Sequence, residues 1–181
     1  MSAPGARAGG AERRAGGGAT WRWCRFDDLT PRELQNIYAA RQRVFVIEQQ
    51  CIYLDADGCD ERAYHLAAWA PAEPEPLAYA RVLDPGVKYD EPSIGRVITV
   101  AALRGTGLGR QLVARAIAET QAAWPGAAIR ISAQTRLERF YAGFGFAVIG
   151  APYLEDGIEH SEMLLPGAPA VGASRRGPGA P

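Results

Sequence analysis

The sequence predicts a mixed α/β domain with about seven strands in a mostly antiparallel sheet and about four helices. Three patterns support this fold class: alternation of apolar and polar residues in strand-length segments, a strand–glycine loop–helix unit in mid-chain, and turn residues between paired strands. The chain has 181 residues, which is enough for one domain with a real core. We expect that domain to cover residues 21–165.

Both ends of the chain have the composition of tails. Residues 1–20 are mostly Ala, Gly and Arg, and residues 166–181 are mostly Gly, Pro and Ala. Neither segment has the periodic apolar residues that a packed element needs, so both are predicted to be disordered. The N-terminal tail also lacks the continuous apolar segment of a secretory signal.

The first half of the domain is predicted to contain three strands and a capped helix. Residues 21–26 form the first strand. Thr30-Pro31-Arg32-Glu33 is a capping box with proline at the first helical position. The apolar stripe of this helix continues toward Glu48, and whether it breaks into a second short helix is left open. Residues 65–70 and 77–83 are predicted to pair as a hairpin around a proline-rich turn.

The second half supplies the remaining strands and helices. Its predicted elements are strands at residues 93–101, 128–133, 146–154 and 159–165 and a short helix at residues 136–143. Between the first two strands an apolar helical stripe ends at Trp124-Pro125-Gly126, because proline cannot continue the helix. The last two strands are joined by a turn at Asp156-Gly157.

The loop at residues 104–109 reads Arg-Gly-Thr-Gly-Leu-Gly and connects a strand to a helix. Backbone N–H groups at a helix N-terminus bind anions, and glycine allows the ligand to approach closely, so we expect a phosphorylated ligand. A Walker loop requires lysine followed by serine or threonine after its last glycine, but Arg110 and Gln111 stand there. The dinucleotide fingerprint would require glycine in place of Arg110. The sequence therefore disfavours a nucleotide-binding protein of either kind.

The remaining pattern, Arg-x-x-Gly-x-Gly, resembles the pyrophosphate loop of the GNAT N-acetyltransferases, which use acetyl-CoA. A second signature agrees, since Tyr141 precedes the pair Gly145-Phe146 by four and five residues. Gln134 stands seven residues before Tyr141, where the family usually has an asparagine that touches the pantetheine arm of CoA. The resemblance implies the GNAT acyl-CoA N-acyltransferase fold, in which strands four and five splay apart around CoA.

Segments in both halves of the chain are similar to the ElaA-like branch of this family. They are residues 43–50, 55–58, 78–81, 94–97 and 155–158, together with His160. With the CoA signatures, the resemblance covers roughly residues 21–165.

The resemblance implies a set of cofactor-binding residues. They are Ile98, Thr99, Val100, Arg104, Gly105, Thr106, Gly107, Leu108, Gly109, Arg110, Gln134 and Tyr141. The backbone of residues 98–100 is expected to pair with pantetheine like an added strand, with a free N–H near Val100 polarising the thioester. Tyr141 is expected to donate a proton or a hydrogen bond to the departing thiolate.

The general base has two candidates, and the sequence does not choose between them. Glu48 falls on an apolar helical stripe, where burial would raise the pKa of a carboxylate toward a useful range. His160 is the second candidate, because an imidazole can exchange a proton near neutral pH. Each has a structural alternative: a solvated Glu48 beyond the helix end, and a hydrogen-bonded strand residue at position 160. The acidic segment at residues 55–61 is a further candidate for attracting a cationic amine, or else a solvated loop.

Composition excludes several other classes. Twenty basic and twenty acidic side chains give a formal net charge of zero, which argues against nucleic-acid and membrane partners. The three cysteines form no C-x-x-C pair, so no metal site is expected. An odd number of cysteines without a secretory signal suits a reducing cytoplasm.

These observations predict an N-acetyltransferase that moves the acetyl group of acetyl-CoA to a primary amine by direct attack in a ternary complex. The alternative is a non-catalytic acyl-CoA-binding regulatory or scaffold protein with the same fold. The sequence leaves open whether the acceptor is a small-molecule amine or a peptide amine, whether other acyl groups are used, and whether the chain forms a homodimer.

Overall fold

The computed structural model describes residues 12–14, 18–71 and 73–167, and these residues are arranged around one large sheet. The strands are β1 Glu12–Arg14, β2 Thr20–Arg25, β3 Ala63–Trp69, β4 Ala78–Leu83, β5 Ser93–Thr99, β6 Ile129–Gln134, β7 Ala147–Val148, β8 Tyr153–Glu155 and β9 Ile158–Leu165. The α-helices are α1 Pro31–Gln42, α2 Leu108–Ala123 and α3 Glu138–Ala142. A π-helical segment, Arg43–Glu48, continues directly from α1.

The strand order confirms a mixed, mostly antiparallel sheet. It runs β1-β2-β3-β4-β5-β6-β9-β7, and β8 also pairs with β9. Among the described strands, only β5 and β6 pair in parallel, and their register contains the single pair Ser93 and Arg130. Beyond this pair the two strands diverge and leave a wedge in the sheet. β5 and β6 are the strands predicted to splay as strands four and five. Their numbers are higher by one because β1 precedes the first predicted strand.

The element count differs from the sequence prediction in three places. The predicted strand at residues 146–154 is divided into β7 and β8, because Gly150 adopts a φ of +80° between them. The predicted short helix begins as a 3-10 turn and is α-helical only over α3. Within the predicted N-terminal tail, β1 pairs with β2. Residues 1–11, 15–17 and 168–181 lie outside the described part of the chain, so the tails otherwise stay a prediction.

The start of α1 confirms the predicted capping box. The Thr30 side chain accepts a hydrogen bond from the backbone N–H of Glu33 at 3.2 Å. In return, the Glu33 carboxylate accepts one from the backbone N–H of Thr30 at 2.8 Å. Both bonds satisfy donors that would otherwise lack partners at a helix N-terminus, which fixes where α1 begins.

The sheet is buried on both faces at β4. The α2 face contains one buried apolar cluster, which includes Ala80, Val82, Ile94, Leu112, Val113 and Ala116. The α1 face contains a second, formed by Ile37, Ala40, Val44, Ala67, Tyr79 and Ile98. Alternate residues of β4 therefore face opposite helices, as the pleat of a strand requires. Packing on both sides holds β4 and β5 rigidly beside the wedge.

A β-bulge in β5 shapes one side of the wedge. Tyr79 pairs with Ile98 and Arg81 pairs with Gly95, so two residues of β5 stand opposite Ala80 alone. One of them, Arg96, has a φ of +51°, a conformation that side-chain-bearing residues rarely adopt. Bulges bend a strand and redirect its side chains. This one lies in the part of β5 that no longer pairs with β6.

Candidate functional site

A cavity of about 430 Å³ occupies the wedge between β5 and β6. Both diverging strands, α3, the end of the π-helical segment and the turn before β9 contribute to its wall. The residues that line it include Gln49, Ser132, Gln134, Tyr141 and His160. The parallel strands separate here, so their facing edges have backbone groups that no neighbouring strand occupies.

The glycine loop lies at the N-terminus of α2 and has the geometry of an anion site. Gly105 and Gly107 have φ values of +80° and +91°, and Gly107 caps the helix with no side-chain hydrogen bond. The N–H groups of the first turn, Leu108 to Arg110, have no intrahelical acceptor. A Cβ atom added at Gly105 or Gly107 would have no atom within 4 Å, so the space in front of the loop is open. The structure thus presents free donors to a ligand.

The end of β5 requires a correction to the expected polarising group. The Val100 N–H donates to the Leu77 carbonyl at 2.9 Å, so it is not free. Ile98 pairs with Tyr79 on the same side of the strand. Because backbone groups alternate in an antiparallel ladder, the N–H and C=O of Thr99 point away from β4. Thr99 therefore replaces Val100 as the residue whose backbone faces the wedge.

Tyr141 is a buried side chain on the cavity wall, with only 6 % of its surface exposed. Its ring packs edge-on against Phe140 and Phe146, at centroid distances of 5.1 and 6.0 Å. Burial raises the pKa of the Tyr141 hydroxyl to about 12. The group therefore stays protonated at neutral pH and can act as a donor toward the cavity.

Glu48 is ion-paired with Arg104, the first residue of the glycine loop. The Arg104 guanidinium lies 2.5 Å from the Glu48 carboxylate and 3.3 Å from the Thr99 carbonyl oxygen. The two side chains are 29 % and 47 % exposed, so the pair contributes little to stability, at most about 1 kcal/mol. The π-helical turn explains why Glu48 leaves the apolar stripe, since α-helical spacing no longer applies beyond residue 42.

His160 lies on β9, where it pairs in register with Gln134 of β6 and Tyr153 of β8. Its Nδ1 is 2.9 Å from the Ile158 carbonyl oxygen. A carbonyl oxygen can only accept, so Nδ1 carries the proton in the neutral ring and Nε2 keeps its lone pair. His160 lines the same cavity as Tyr141. Its free nitrogen can accept a proton there.

Gln49 is a site residue that sequence reasoning missed. The Gln134 side-chain amide donates to Gln49 Oε1 at 3.0 Å. The Gln134 oxygen in turn accepts from Arg136 Nε at 2.9 Å. Gln49 and Gln134 are 85 positions apart, so no local pattern indicates the contact.

A second missed group lies on β6 beside the turn before β9. Ser132 Oγ is 2.5 Å from the Tyr153 hydroxyl and 3.3 Å from a Glu155 carboxylate oxygen. Because a carboxylate only accepts, Ser132 donates to Glu155 and Tyr153 donates to Ser132. The alternation of Ser132 and Gln134 on one face of β6 is the only signal in the sequence that could have indicated this group.

The acidic segment at residues 55–61 is chiefly structural. Its aspartates form a network of Arg41, Arg81 and Arg96 with Asp55, Asp57 and Asp60. Arg41 is fully buried and binds Asp55 at 2.8 Å. Burial raises the pKa of Asp57, but the bidentate contact and charge of Arg81 outweigh it and hold the pKa well below its usual range. The charges of the three aspartates are thus paired with arginines within the protein, so a structural role accounts for these residues.

His65 is also structural. Its ring nitrogens lie 2.8 Å from the Tyr79 hydroxyl and 3.0 Å from the Asp60 carbonyl oxygen. In the described part of the chain, no three His, Cys, Asp or Glu side chains are grouped to hold a metal ion. The helices of that part include none that is long and apolar enough to cross a membrane.

Comparison with known proteins identifies relatives along most of the chain. Residues 41–165 match the family described as an acetyltransferase (GNAT) domain. UPF0039 protein sll0451 of Synechocystis sp. is 45 % identical over 145 residues, covering 80 % of this chain and 94 % of that protein. Protein ElaA of Escherichia coli is 36 % identical over 145 residues, covering 79 % and 94 %.

Solved structures agree with these sequence relatives. The crystal structure of an acyl-CoA N-acyltransferase from Pseudomonas aeruginosa has a TM-score of 0.76 at 39 % identity and covers 81 % of this chain and 98 % of that one. The crystal structure of Escherichia coli ElaA has a TM-score of 0.74 at 33 % identity and covers 80 % and 98 %. The strand divergence, the glycine loop and these relatives agree: the chain belongs to the GNAT acetyltransferase family and is a relative of ElaA.

Proposed function

We propose that this protein is an N-acetyltransferase that moves the acetyl group of acetyl-CoA to a primary amine. One observation carries the proposal: the N–H groups of the glycine loop and the Thr99 backbone, which points away from β4, follow one another at the end of β5, and Tyr141 lines the cavity between β5 and β6. Acetyl-CoA has a group for each of these features: its pyrophosphate suits the loop, its amide-containing arm suits Thr99, and its thioester suits Tyr141.

The donor would be bound mainly by backbone. The first turn of α2 would hold the pyrophosphate, with the helix dipole adding to the attraction. The N–H and C=O of Thr99 would pair with the arm as an added strand does. Arg104 fits the same role, because a phosphate would compete with Glu48 for its guanidinium. That exchange would free the Glu48 carboxylate.

The chemical step would need no covalent enzyme intermediate. The amine nitrogen forms the new C–N bond with the acetyl carbonyl carbon, and the C–S bond breaks, so the electron pair leaves on sulfur. The thiol of CoA has an ordinary pKa of about 8.5, far below the value of about 12 for Tyr141. Full proton transfer from Tyr141 would therefore be uphill, and we assign the hydroxyl the role of hydrogen-bond donor to the thiolate.

The amine proton has two candidate acceptors, His160 on the cavity wall and Glu48 beside Arg104 of the glycine loop. Glu48 becomes available only when Arg104 turns away, whereas Nε2 of His160 is free already. The acceptor substrate would enter beside the turn before β9, where Glu155 and Tyr153 also line or border the cavity.

Three thiols without a disulfide suit a reducing compartment, and we place the protein in the cytoplasm.

A thiol-release assay tests the function. The full chain is incubated with acetyl-CoA and a panel of small amines, peptides with free N-termini and lysine peptides. Amine-dependent release of CoA, with the acetylated amine detected by mass spectrometry, is the expected result. Tight binding of CoA by calorimetry with no amine-dependent release across the panel would instead favour a non-catalytic acyl-CoA-binding protein. Absence of CoA binding would overturn both.

A further inference from the structure

The hydrogen bond between Gln49 and Gln134 crosses the mouth of the wedge. Gln134 is the last residue of β6, and Gln49 directly follows the π-helical segment on the opposite side. Both residues line the cavity. The bond therefore joins two walls that no strand pairing connects.

The direction of this bond is set by Arg136. A guanidinium only donates, so the Gln134 group that faces Arg136 Nε must be the carbonyl oxygen. The Gln134 NH2 group then faces Gln49, and one of its two hydrogens is used by Gln49 Oε1. The second hydrogen has no side-chain acceptor among the described residues. The chain of bonds thus leaves N–H donors unused, one on Gln134 and those of the Gln49 NH2 group, for a ligand in the wedge.

We propose that Gln49 is a positioning residue: it holds the Gln134 amide so that its remaining N–H points at a carbonyl oxygen of the pantetheine arm of acyl-CoA. This inference rests on the proposed function, since it assigns a partner to the arm of that donor. Gln49 acts through its acceptor oxygen, and a residue that keeps an oxygen there should keep the effect. Without the bond to Gln49, the Gln134 side chain would sample several rotamers. CoA would then have to order it on binding, which would reduce the binding free energy.

Two substitutions separate this role from packing. Gln49→Met keeps the length of the side chain and removes both hydrogen-bonding groups. Gln49→Glu keeps the acceptor oxygens and removes the NH2 donors. The two ligands for calorimetry are CoA, which has the pantetheine arm, and adenosine 3′,5′-bisphosphate, which lacks it.

We expect Gln49→Met to weaken CoA binding by about 2- to 10-fold, the range for one hydrogen bond, and to leave the bisphosphate affinity unchanged. Gln49→Glu should bind CoA within about twofold of the native protein. In a Gln134→Met background, Gln49→Met should cause no additional loss, because the two residues act as one unit.

Three results would overturn the inference while leaving the proposed function standing: native CoA affinity in Gln49→Met, equal weakening of both ligands, or a Gln49→Glu variant as weak as Gln49→Met. The last would mean that the Gln49 NH2 group is itself the contact. Failure of the native protein to bind CoA at all would overturn the proposed function, and this inference with it.

Discussion

At the scale of single residues, Tyr141 combines a fixed ring with a hydroxyl that stays protonated. Its edge contacts with Phe140 and Phe146 hold the ring, and burial alone accounts for the raised pKa of about 12. A donor of this kind is positioned before the reaction begins, so the transition state needs little reorganisation to use it.

Tyr141→Phe should therefore lower kcat far more than it changes KM for acetyl-CoA. The substitution keeps the ring and its packing and removes the hydroxyl that acts on the developing thiolate. We expect a loss of about 10²-fold in kcat, the lower end of what removal of one preorganised hydrogen-bond donor costs. Single-turnover rates would establish that chemistry is being measured, and a loss below about threefold would reduce Tyr141 to a packing residue.

The raised pKa adds a pH criterion for the same residue. A tyrosine that ionises only near pH 12 should cause no descending limb in kcat/KM at lower pH. If the native enzyme shows a descending limb below pH 10 that disappears in Tyr141→Phe, then Tyr141 has an ordinary pKa in the working enzyme.

The two candidate bases are separated by matched amide substitutions. Glu48→Gln keeps a hydrogen-bond acceptor for Arg104 but removes the carboxylate, and His160→Gln removes the free Nε2. The variant that lacks the base should lose the ascending limb of the pH–rate profile. It should be slowed most with an amine of high pKa, which arrives protonated, and least with a weakly basic amine. Retention of the limb in both variants would remove both residues from this role.

At the scale of elements, the glycine loop and the end of β5 form one unit. A Cβ atom at Gly109 would lie 3.7 Å from Thr99 Cγ2, an ordinary contact, and Gly109 has no positive φ. Under the proposed function, a pyrophosphate would occupy the space against the N–H groups of this turn, and a larger side chain at Gly109 would enter that space. Gly107 is less informative, because its φ of +91° would strain any substituted backbone.

We therefore expect Gly109→Val to weaken CoA binding by at least about 10-fold while the midpoint of urea unfolding stays near the native value. Gly109→Ala should give a smaller effect, since its single methyl group occupies less of that space. Calorimetry with CoA measures the affinity. Native affinity in a folded Gly109→Val protein would place the anion elsewhere.

Features that depend on neighbouring residues could be predicted from the sequence, and features that depend on distant ones could not. The residues that form the capping box at Thr30 lie within a few positions of one another in the sequence. The same is true of the glycine loop and the start of its helix. The sequence suggests a free N–H near Val100, but that of Val100 itself is bonded, because the carbonyl of Leu77, in a different part of the chain, decides which edge of β5 is open. Likewise, only the folded chain shows that Glu48 meets Arg104.

At the scale of the whole molecule, buried charges join the elements on the α1 side. Arg41 of α1 binds Asp60, and Asp60 also lies 3.3 Å from Arg81 of β4. The sequence does not show that these aspartates are paired, because their arginine partners lie 14 to 41 positions away. Removing one partner of such a pair leaves an uncompensated buried charge, which is strongly destabilising.

His65 lies at the edge of this network and should make stability depend on pH. Burial lowers the pKa of His65 to about 4, against an ordinary value near 6.5. Between those values the unfolded chain binds a proton at this position and the folded protein does not. The free energy of unfolding must therefore fall as the pH drops from about 6.5 to about 4, and the full shift corresponds to about 3 kcal/mol.

We expect His65→Gln to reduce this acid sensitivity. The amide can bond to the Tyr79 hydroxyl or to the Asp60 carbonyl oxygen but does not titrate, so the difference in unfolding free energy between pH 7 and pH 4.5 should shrink by about 2 kcal/mol. Urea unfolding at both pH values measures it. The pKa of Asp57 and that of Asp60 are both lowered in the folded protein, so their stabilising contributions are lost only at lower pH. An unchanged difference in His65→Gln would show that the folded protein protonates His65 without cost.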